Sequence, residues 1–564
     1  MLISQTADLW WKSAVVYCLD IETFFDADDD GVGDISGLVQ RIDYLAELGV
    51  TCLWLMPFSP SGGRDDGYDI TDHLAVDPRL GDVGDMVDLV RTAKSRGMRV
   101  IMDLVVNHTS DKHPWFRQAR RSPDNRFRDY YVWADEPPGD TSDLVVFPDA
   151  EDSVWQYDEK AGQYYLHNFY REQPDLNVAN PAVQAEIAKI IGFWMQMGMD
   201  GFRVDAVPFF LDDRGLTPQW RERFSDPHGY LRDLSFLVRR RQGDAILLGE
   251  VNLDYEEQVD YFGGEDGDEL TMMFDFELMQ RTHLAFARQD ATPIAETLRR
   301  RPALSRRSQF ATFLRNHDEL TLDKLTDSER QEVFDAFGPE EDMQLFGRGL
   351  RRRLPPMLEG DPRRLRMAYS LLFSLPGTPV LFYGEEIGMG ENLERPGRMA
   401  VRTPMQWTAG KNGGFSVVPP SRLVAPLTTG AYGPEHVNAE DQRRDPDSLL
   451  AFLTALAHRY RECPEVGMGS TAVLETDRPA VLAHCCTWTP YGGGSSRSLL
   501  VHNLSHEATT VEMHLPQQTE GTELLDLFSH ERHEVGRDGL VRLELDAYGH
   551  HWLRLLTPDD RRLR

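Results

Sequence analysis

Eight short apolar runs alternate along the chain with longer amphipathic stretches, and several of those runs close on an acid. Together these observations predict an α/β protein built on a (β/α)8 TIM barrel, because alternating strand and helix patterns make a parallel sheet and eight strands suit closure. A change in composition after residue 465 adds a C-terminal antiparallel β-sandwich domain.

The expected strands are 15–18, 51–56, 100–106, 201–205, 245–250, 271–276, 309–314 and 379–383. Helical spacing of apolar residues marks 35–48, 85–96, 183–197 and 364–375 between them. The stretch 109–172 that follows the third strand is rich in Asp, Pro, Trp and Tyr. It is too long for an ordinary connection and predicts a small inserted subdomain over the barrel mouth. Its aromatics, among them Trp115, Phe116, Tyr130, Tyr131, Trp133, Trp155, Tyr164 and Tyr165, are read mostly as that subdomain's own core. Past the helix-like 448–461, short Val/Leu/His/Thr alternations separated by turn residues predict the β-domain. Gly492 opens a flexible turn there. The organisation expected is barrel over 1–108, insertion over 109–172, barrel again over 173–465 and β-domain over 466–564.

A net charge of −32 over 564 residues would repel phosphate backbones and anionic lipid, so no nucleic acid and no membrane partner is expected. The opening residues lack a basic then apolar leader pattern, and no segment approaches about 18 uninterrupted apolar residues. A cytoplasmic chain is expected, with its five scattered cysteines as reduced thiols. Self-association is compatible with the sequence and not specified by it.

Asp205 ends Gly-Phe-Arg-Val-Asp, Glu250 ends Ile-Leu-Leu-Gly-Glu and Asp318 ends Leu-Arg-Asn-His-Asp. In a parallel barrel the carboxyl rim is where chemistry is assembled, so three acids at strand ends point to an active site although a single one would ordinarily be a surface residue. Arg203, two residues before Asp205 on the same strand, shares its face and is expected to hold it ionised. With Asp103-Leu-Val-Val-Asn-His108, these motifs resemble the retaining α-amylase family of glycoside hydrolases and transglycosylases, from about Trp11 to Trp407. The stretches Gln173-Pro-Asp-Leu-Asn177 and Arg402-Thr-Pro-Met-Gln-Trp407 are similar to its trehalose synthase and α-glucosidase branch.

The resemblance implies Asp205 as nucleophile, Glu250 as general acid/base and Asp318 as the third acid gripping sugar hydroxyls. It also implies His108 and His317 as hydrogen-bonding partners of the innermost sugar, Asp65 and Tyr68 as the clamp on a terminal glucose, and Gln173, Arg203 and Arg402 as further substrate-site residues. The partner implied is a small α-glucoside such as maltose or trehalose.

Asp26-Ala-Asp-Asp-Asp-Gly-Val-Gly-Asp34 sets carboxylates at alternating positions before a turn, chemistry suited to calcium. Position twelve is Gly37 rather than a bidentate Glu, which excludes an EF-hand. The family places a structural calcium here through Asp26, Asp28, Asp30, the Val32 carbonyl and Asp34, and a second through Asn107 and Asp175. No organic cofactor is expected.

Three functions are open to such a chain: an isomerase converting maltose to trehalose, an exo-acting α-glucosidase, or a catalytically dead relative. The intact acids and the lack of an anchor argue against the last. The first two share these site residues, and water exclusion separates them. The chain departs from trehalose synthases at Gly249-Glu-Val-Asn-Leu253 and in a shorter segment after Pro208-Phe-Phe-Leu, both on the acceptor side. The insertion 321–360 looks like theirs and is read as a lid. Its Arg348-Gly-Leu-Arg-Arg-Arg-Leu354 run is expected to pair with Glu340, Glu341 and Asp342.

Overall fold

The computed structural model describes residues 7–137, 139, 141–490, 493–515, 522–536 and 538–556. The sequence reading of the first six residues, of Gly492 and of the β-domain beyond residue 556 lies outside the described residues.

Eight parallel strands close into a barrel in chain order: β1 (Val16–Leu19), β2 (Cys52–Leu55), β3 (Arg99–Leu104), β4 (Gly201–Val204), β5 (Ile246–Gly249), β6 (Met272–Phe274), β7 (Gln309–Thr312) and β8 (Thr378–Phe382). Each falls on an expected run, and β1 pairs in parallel with both β2 and β8 to complete the circle. All but Arg99 of these strand residues are buried, which explains why they read as continuous apolar runs rather than as alternations. β4 and β5 approach so closely at Gly201 (φ 158°) that a Cβ there would lie 2.3 Å from the Ile246 carbonyl oxygen.

The helices begin and end where local chemistry directs. Asp34 caps α1 (Ile35–Leu48) by accepting the Gly37 amide, and Gly49 at φ 97° ends it. Asn180 caps α2 (Pro181–Met197), with Pro181 at its first position and Gly198 at φ 109° after its last. Each turns an apolar face inward; in α2 this includes Val183, Ile187, Ile191 and Trp194.

Residues 109–172 hold a three-stranded antiparallel sheet of Trp133–Ala134, Gln163–Leu166 and Trp155–Asp158. Its aromatics pack on one another, as in the stacked Phe116 and Trp133 rings 5.6 Å apart and Tyr165 edge-on to Phe116 at 5.1 Å. Two bridges, His108 to Asp175 and Tyr131 to Leu176, sew the insertion to the chain that returns to the barrel.

The segment after β7 is ordered secondary structure. Leu320–Thr321, Gly349–Leu350 and Gln344–Leu345 form a small sheet beside the helix Asp327–Phe337. The arginines of this segment form no ion pair with Glu340, Glu341 or Asp342, although the Asp342 charge favours the charged form of Arg351. Arg352 pairs with Glu391 at 2.9 Å, Arg353 donates to the carbonyls of Val401 and Tyr383, and Arg348 lies 3.9 Å from Glu319. Partners supplied by the loop after β8 replace those nearby in sequence.

The C-terminal region is two antiparallel sheets, of six strands and of two, enclosing a separate core that includes Leu499, Val511, Leu543 and Leu553. The boundary read at 466 falls inside the helix Pro464–Met468, and the first strand starts at Ser470. This domain docks on the helix Pro362–Ser374, where Ser370 Oγ receives the Trp552 indole at 3.0 Å and lies 2.9 Å from His502 Nε2.

Candidate active site

The carboxyl ends of β4, β5 and β7 bring Asp205, Glu250 and Asp318 together as expected. Arg203, on β4, is the hub. Its Nη1 binds Asp205 and lies 2.6 Å from Asp103 Oδ1, and its Nη2 lies 2.8 Å from Glu250 Oε2. One guanidinium thus bridges three carboxylates, and the Trp54 indole donates to the other oxygen of Asp103 at 2.8 Å. Ala206, immediately after Asp205, adopts the left-handed conformation at φ 50°. A non-glycine residue there is uncommon, and the turn it makes aims its amide at Glu250 Oε2, 3.1 Å away.

Burial raises Asp205 to about 6 in spite of the Arg203 charge beside it, and raises Glu250 as well. Arg203 acts on Asp205 in the expected direction, favouring the ionised form; desolvation and the neighbouring Asp103 outweigh it, yet at about 6 Asp205 is still ionised at neutral pH. Asp318 is the opposite case. Burial alone would raise it, but His317, Arg398 and Arg402 hold it well below the usual carboxylate range.

The remaining expected residues converge on the same space. The Tyr68 hydroxyl lies 2.7 Å from His317 Nε2, which lies 3.1 Å from Asp318 Oδ2, and the two rings stack at 5.7 Å. Gln173 donates to Asp65 Oδ2 at 3.1 Å and sits 3.1 Å from His108 Nε2. Burial lowers His108 to about 4, which leaves its ring neutral, and lowers His317 as well against the pull of the Asp318 carboxylate beside it. Arg402 reaches Asp318 Oδ1 at 3.0 Å and Asp66 Oδ2 at 2.6 Å.

Sequence reasoning missed Arg398, whose guanidinium lies 2.5 Å from Asp318 and 3.2 Å from Asp65, and it missed Asp66. It also missed an aromatic wall. Phe147 packs on Tyr170 at 4.6 Å and on Phe346 at 5.2 Å, while Phe169 lies 5.3 Å from His108 and 5.2 Å from Phe209. The spacing of Arg398, four residues before Arg402 in the loop after β8, was the signal available for it.

This arrangement offers a buried and a half-buried carboxyl on adjoining strands, Asp205 and Glu250, both raised by desolvation, beneath a wall of rings. It can support nucleophilic attack by one and proton transfer by the other. The family model for the α-amylase catalytic domain matches residues 21–336 and 352–466. The chain belongs to the α-amylase family. A second family model, of a sucrose hydrolase-like C-terminal domain, matches 496–554. Within the family the chain is similar to trehalose synthase/amylase TreS of Mycobacterium tuberculosis (strain ATCC 25618 / H37Rv), 41% identical over 98% of this chain and 91% of that protein. It is 39% identical to trehalose synthase of Pimelobacter sp. (strain R48), over 98% of this chain and 96% of the relative. A solved trehalulose synthase variant in complex with Tris superposes with a TM-score of 0.75 at 27% identity, covering 97% of this chain and all of that one.

The two metal positions the family suggests fare differently on geometry. Carboxylate oxygens of Asp26, Asp28 and Asp34 lie within 4.8 Å of one another, a donor set that fits a hard cation. Asp30 stands outside that trio and accepts the Val32 amide at 2.7 Å. At the second position, Asp175 Oδ1 accepts from Asn107 Nδ2 and from the Asn168 amide, each at 3.2 Å, and its other oxygen takes the Asn168 side chain. Arg214 lines the same cavity, paired to Asp212. Asn107, Asn168 and Asp175 are thus hydrogen-bonded to one another, and Asn107 and Asp175 form a clasp joining 109–172 to the barrel.

Proposed function

We propose that this chain is a retaining α-glucosyl isomerase of the trehalose synthase kind, acting on maltose and trehalose. Near full-length likeness to two trehalose synthases carries the reading. Asp205 attacks the anomeric carbon of the terminal glucose and Glu250 protonates the departing oxygen, giving a glucosyl-enzyme and free glucose. Asp318, with Asp65, Tyr68, His108 and His317, holds the ring hydroxyls, while Gln173, Arg398 and Arg402 hold those residues in place. The freed glucose turns within the closed site, Glu250 takes the proton of its anomeric hydroxyl, and that oxygen attacks to leave the α,α-1,1 bond. Water exclusion rests on the cap, for Arg348 donates to the Val146 carbonyl at 2.7 Å and Phe346 packs on Phe147. Calcium at Asp26, Asp28 and Asp34 is proposed as a structural ion that would tie the loop before α1 and touch no reacting atom.

Chromatography of products from maltose tests the reading. Trehalose as the main product with little glucose is expected, and glucose alone at every time point would leave an exo-acting α-glucosidase instead.

A further inference from the structure

Away from the strand ends, α1, the segment after Arg402 and the helix Ala439–Arg444 enclose a recess of about 380 Å³. Arg41, Trp407, Thr408, Arg443 and Arg444 line it, together with Glu440. It adjoins a trough of about 540 Å³ that shares Arg443 and Arg444 and continues over Gln442 and Thr454.

Arg41 is the unusual group. Its guanidinium is stacked between the rings of Phe25 and Trp407, 3.9 and 4.4 Å from their centroids. Its Nε is buried with no hydrogen-bond partner, and among the described residues no carboxylate lies within ion-pair distance of it. In a chain of net charge −32 carboxylates are abundant, so a fixed guanidinium that pairs with none of them, not even the Glu440 that lines the same recess, can receive an anion from solution. Burial and the neighbouring Arg443 both lower its pKa, the condition an incoming negative charge would relieve. Arg443 and Arg444 meet Glu47 and Glu440 in exposed pairs, at 2.5 and 2.6 Å, which hold weakly and can swing to a ligand. Thr408 Oγ1 accepts the Gly410 amide, leaving its hydrogen to donate into the recess.

We infer that this recess binds the phosphoryl group of a phosphorylated sugar, on Arg41, Arg443 and Thr408, with the hydroxylated remainder in the adjoining trough beside Gln442 and Thr454. Planar guanidinium forks match three phosphoryl oxygens, and Glu440 on the Arg444 side sets the anion toward Arg41. The inference stands apart from the reaction at Asp205 and Glu250. The occupant would touch Trp407, whose indole donates to the Phe24 carbonyl at 2.8 Å, so tryptophan fluorescence reports on it directly.

The test titrates the full chain with glucose 6-phosphate, inorganic phosphate, glucose and sodium chloride at matched ionic strength, read by calorimetry and by fluorescence. Glucose 6-phosphate is expected to bind at least about tenfold more tightly than phosphate, and glucose and chloride to give no signal. Arg41→Gln and, separately, the exposed Arg443→Gln should each weaken glucose 6-phosphate about tenfold or more while maltose turnover stays at the parental rate. Equal affinity for phosphate and glucose 6-phosphate would overturn the sugar assignment. A response to chloride matching that to phosphate, or unchanged binding in Arg443→Gln with Arg41→Gln folded, would overturn the site.

Discussion

Arg398 Nη1 lies 2.5 Å from Asp318 Oδ1 while its Nη2 lies 3.2 Å from Asp65 Oδ1, so one side chain from the loop after β8 joins an acid at the end of β7 to an acid in the loop after β2. Both contacts are largely removed from water, where a charge-assisted pair is worth most and its loss leaves uncompensated charge. Arg398→Ala should lower kcat/KM for maltose by on the order of 10²-fold, equivalent to about 3 kcal/mol. Because Arg398 is one of the groups holding Asp318 low, the variant should also move Asp318's titration upward and steepen the loss of activity on the acid side. Steady-state rates between pH 4 and 8 check both effects, and an unchanged profile would assign Arg398 to packing alone.

The rate of the parent should itself follow a bell with pH. Asp205 must be ionised to attack, and burial raises it to about 6, so kcat/KM should climb through pH about 6. Glu250 must carry its proton to release the leaving group, and burial raises it too, so activity should fall again as pH passes its shifted value. The stability sign is opposite to that of an ordinary surface acid. A carboxyl raised in the folded chain favours folding when protonated, and that contribution is lost as pH rises through about 6. Asp205→Asn removes the buried charge, and its melting temperature should exceed the parent's above pH 6 and approach it below pH 4.

Roles at the two strand ends separate by trapping. Asp205→Asn should lose at least about 10⁴-fold in turnover and form no covalent species. Glu250→Gln should lose turnover of maltose yet accumulate a glucosyl-enzyme from α-glucosyl fluoride, whose leaving group needs no proton. Intact-mass spectrometry distinguishes them, and a labelled Asp205→Asn would reverse the assignment.

The barrel was legible because its strands are buried on both faces and so read as unbroken apolar runs, with Asp205, Glu250 and Asp318 standing out against them. Arg203 was legible by its period-two spacing, but its grip on Asp103 and Glu250 was not, since those partners lie 100 and 47 residues away in sequence. Arg398 and the wall of Phe147, Phe169, Phe209 and Phe346 come from four separate loops, and nothing in local pattern distinguishes such rings from core. The Arg348–Arg353 run was misassigned for the same reason: Glu391 and the carbonyls of Val401 and Tyr383 arrive from the loop after β8. At the acidic loop the alternation of carboxylates was visible, but only the folded turn, with Asp30 bound to the Val32 amide, shows which three converge.

Calcium at that loop should act on stability alone. Asp28 is raised, by burial and by Asp30, Asp34 and Asp26 around it, and a cation would relieve that repulsion. Chelation should lower the melting temperature of the parent while the rate of the folded enzyme is nearly unchanged, and Asp28→Ala should abolish the response to chelator. Metal content by elemental analysis should give about one calcium per chain, because the Asp175 oxygens already accept from Asn107 and Asn168. Two equivalents in the parent would restore a metal there.

The fate of the glucosyl-enzyme depends on the contact between the segment after β7 and the inserted subdomain. Phe346 sits in the left-handed region at φ 58°, which presents its ring to Phe147 5.2 Å away, and Arg348 fastens the same turn to the Val146 carbonyl. Arg398 stacks on the other side of that join, 4.8 Å from the Phe147 centroid, so the cap and the sugar-holding acids share one aromatic residue. Phe346→Ala opens the cap without touching Asp205, Glu250 or Asp318. It should leave the rate of maltose cleavage within about threefold of the parent and raise the glucose share of the products severalfold, since water then competes with the turning glucose. Arg348→Gln should do the same to a smaller degree. Product ratios at equal conversion decide the matter: an unchanged ratio with reduced cleavage would place Phe346 in substrate binding rather than in closure, and would leave the retention of glucose to the subdomain's own wall of Phe169 and Tyr170.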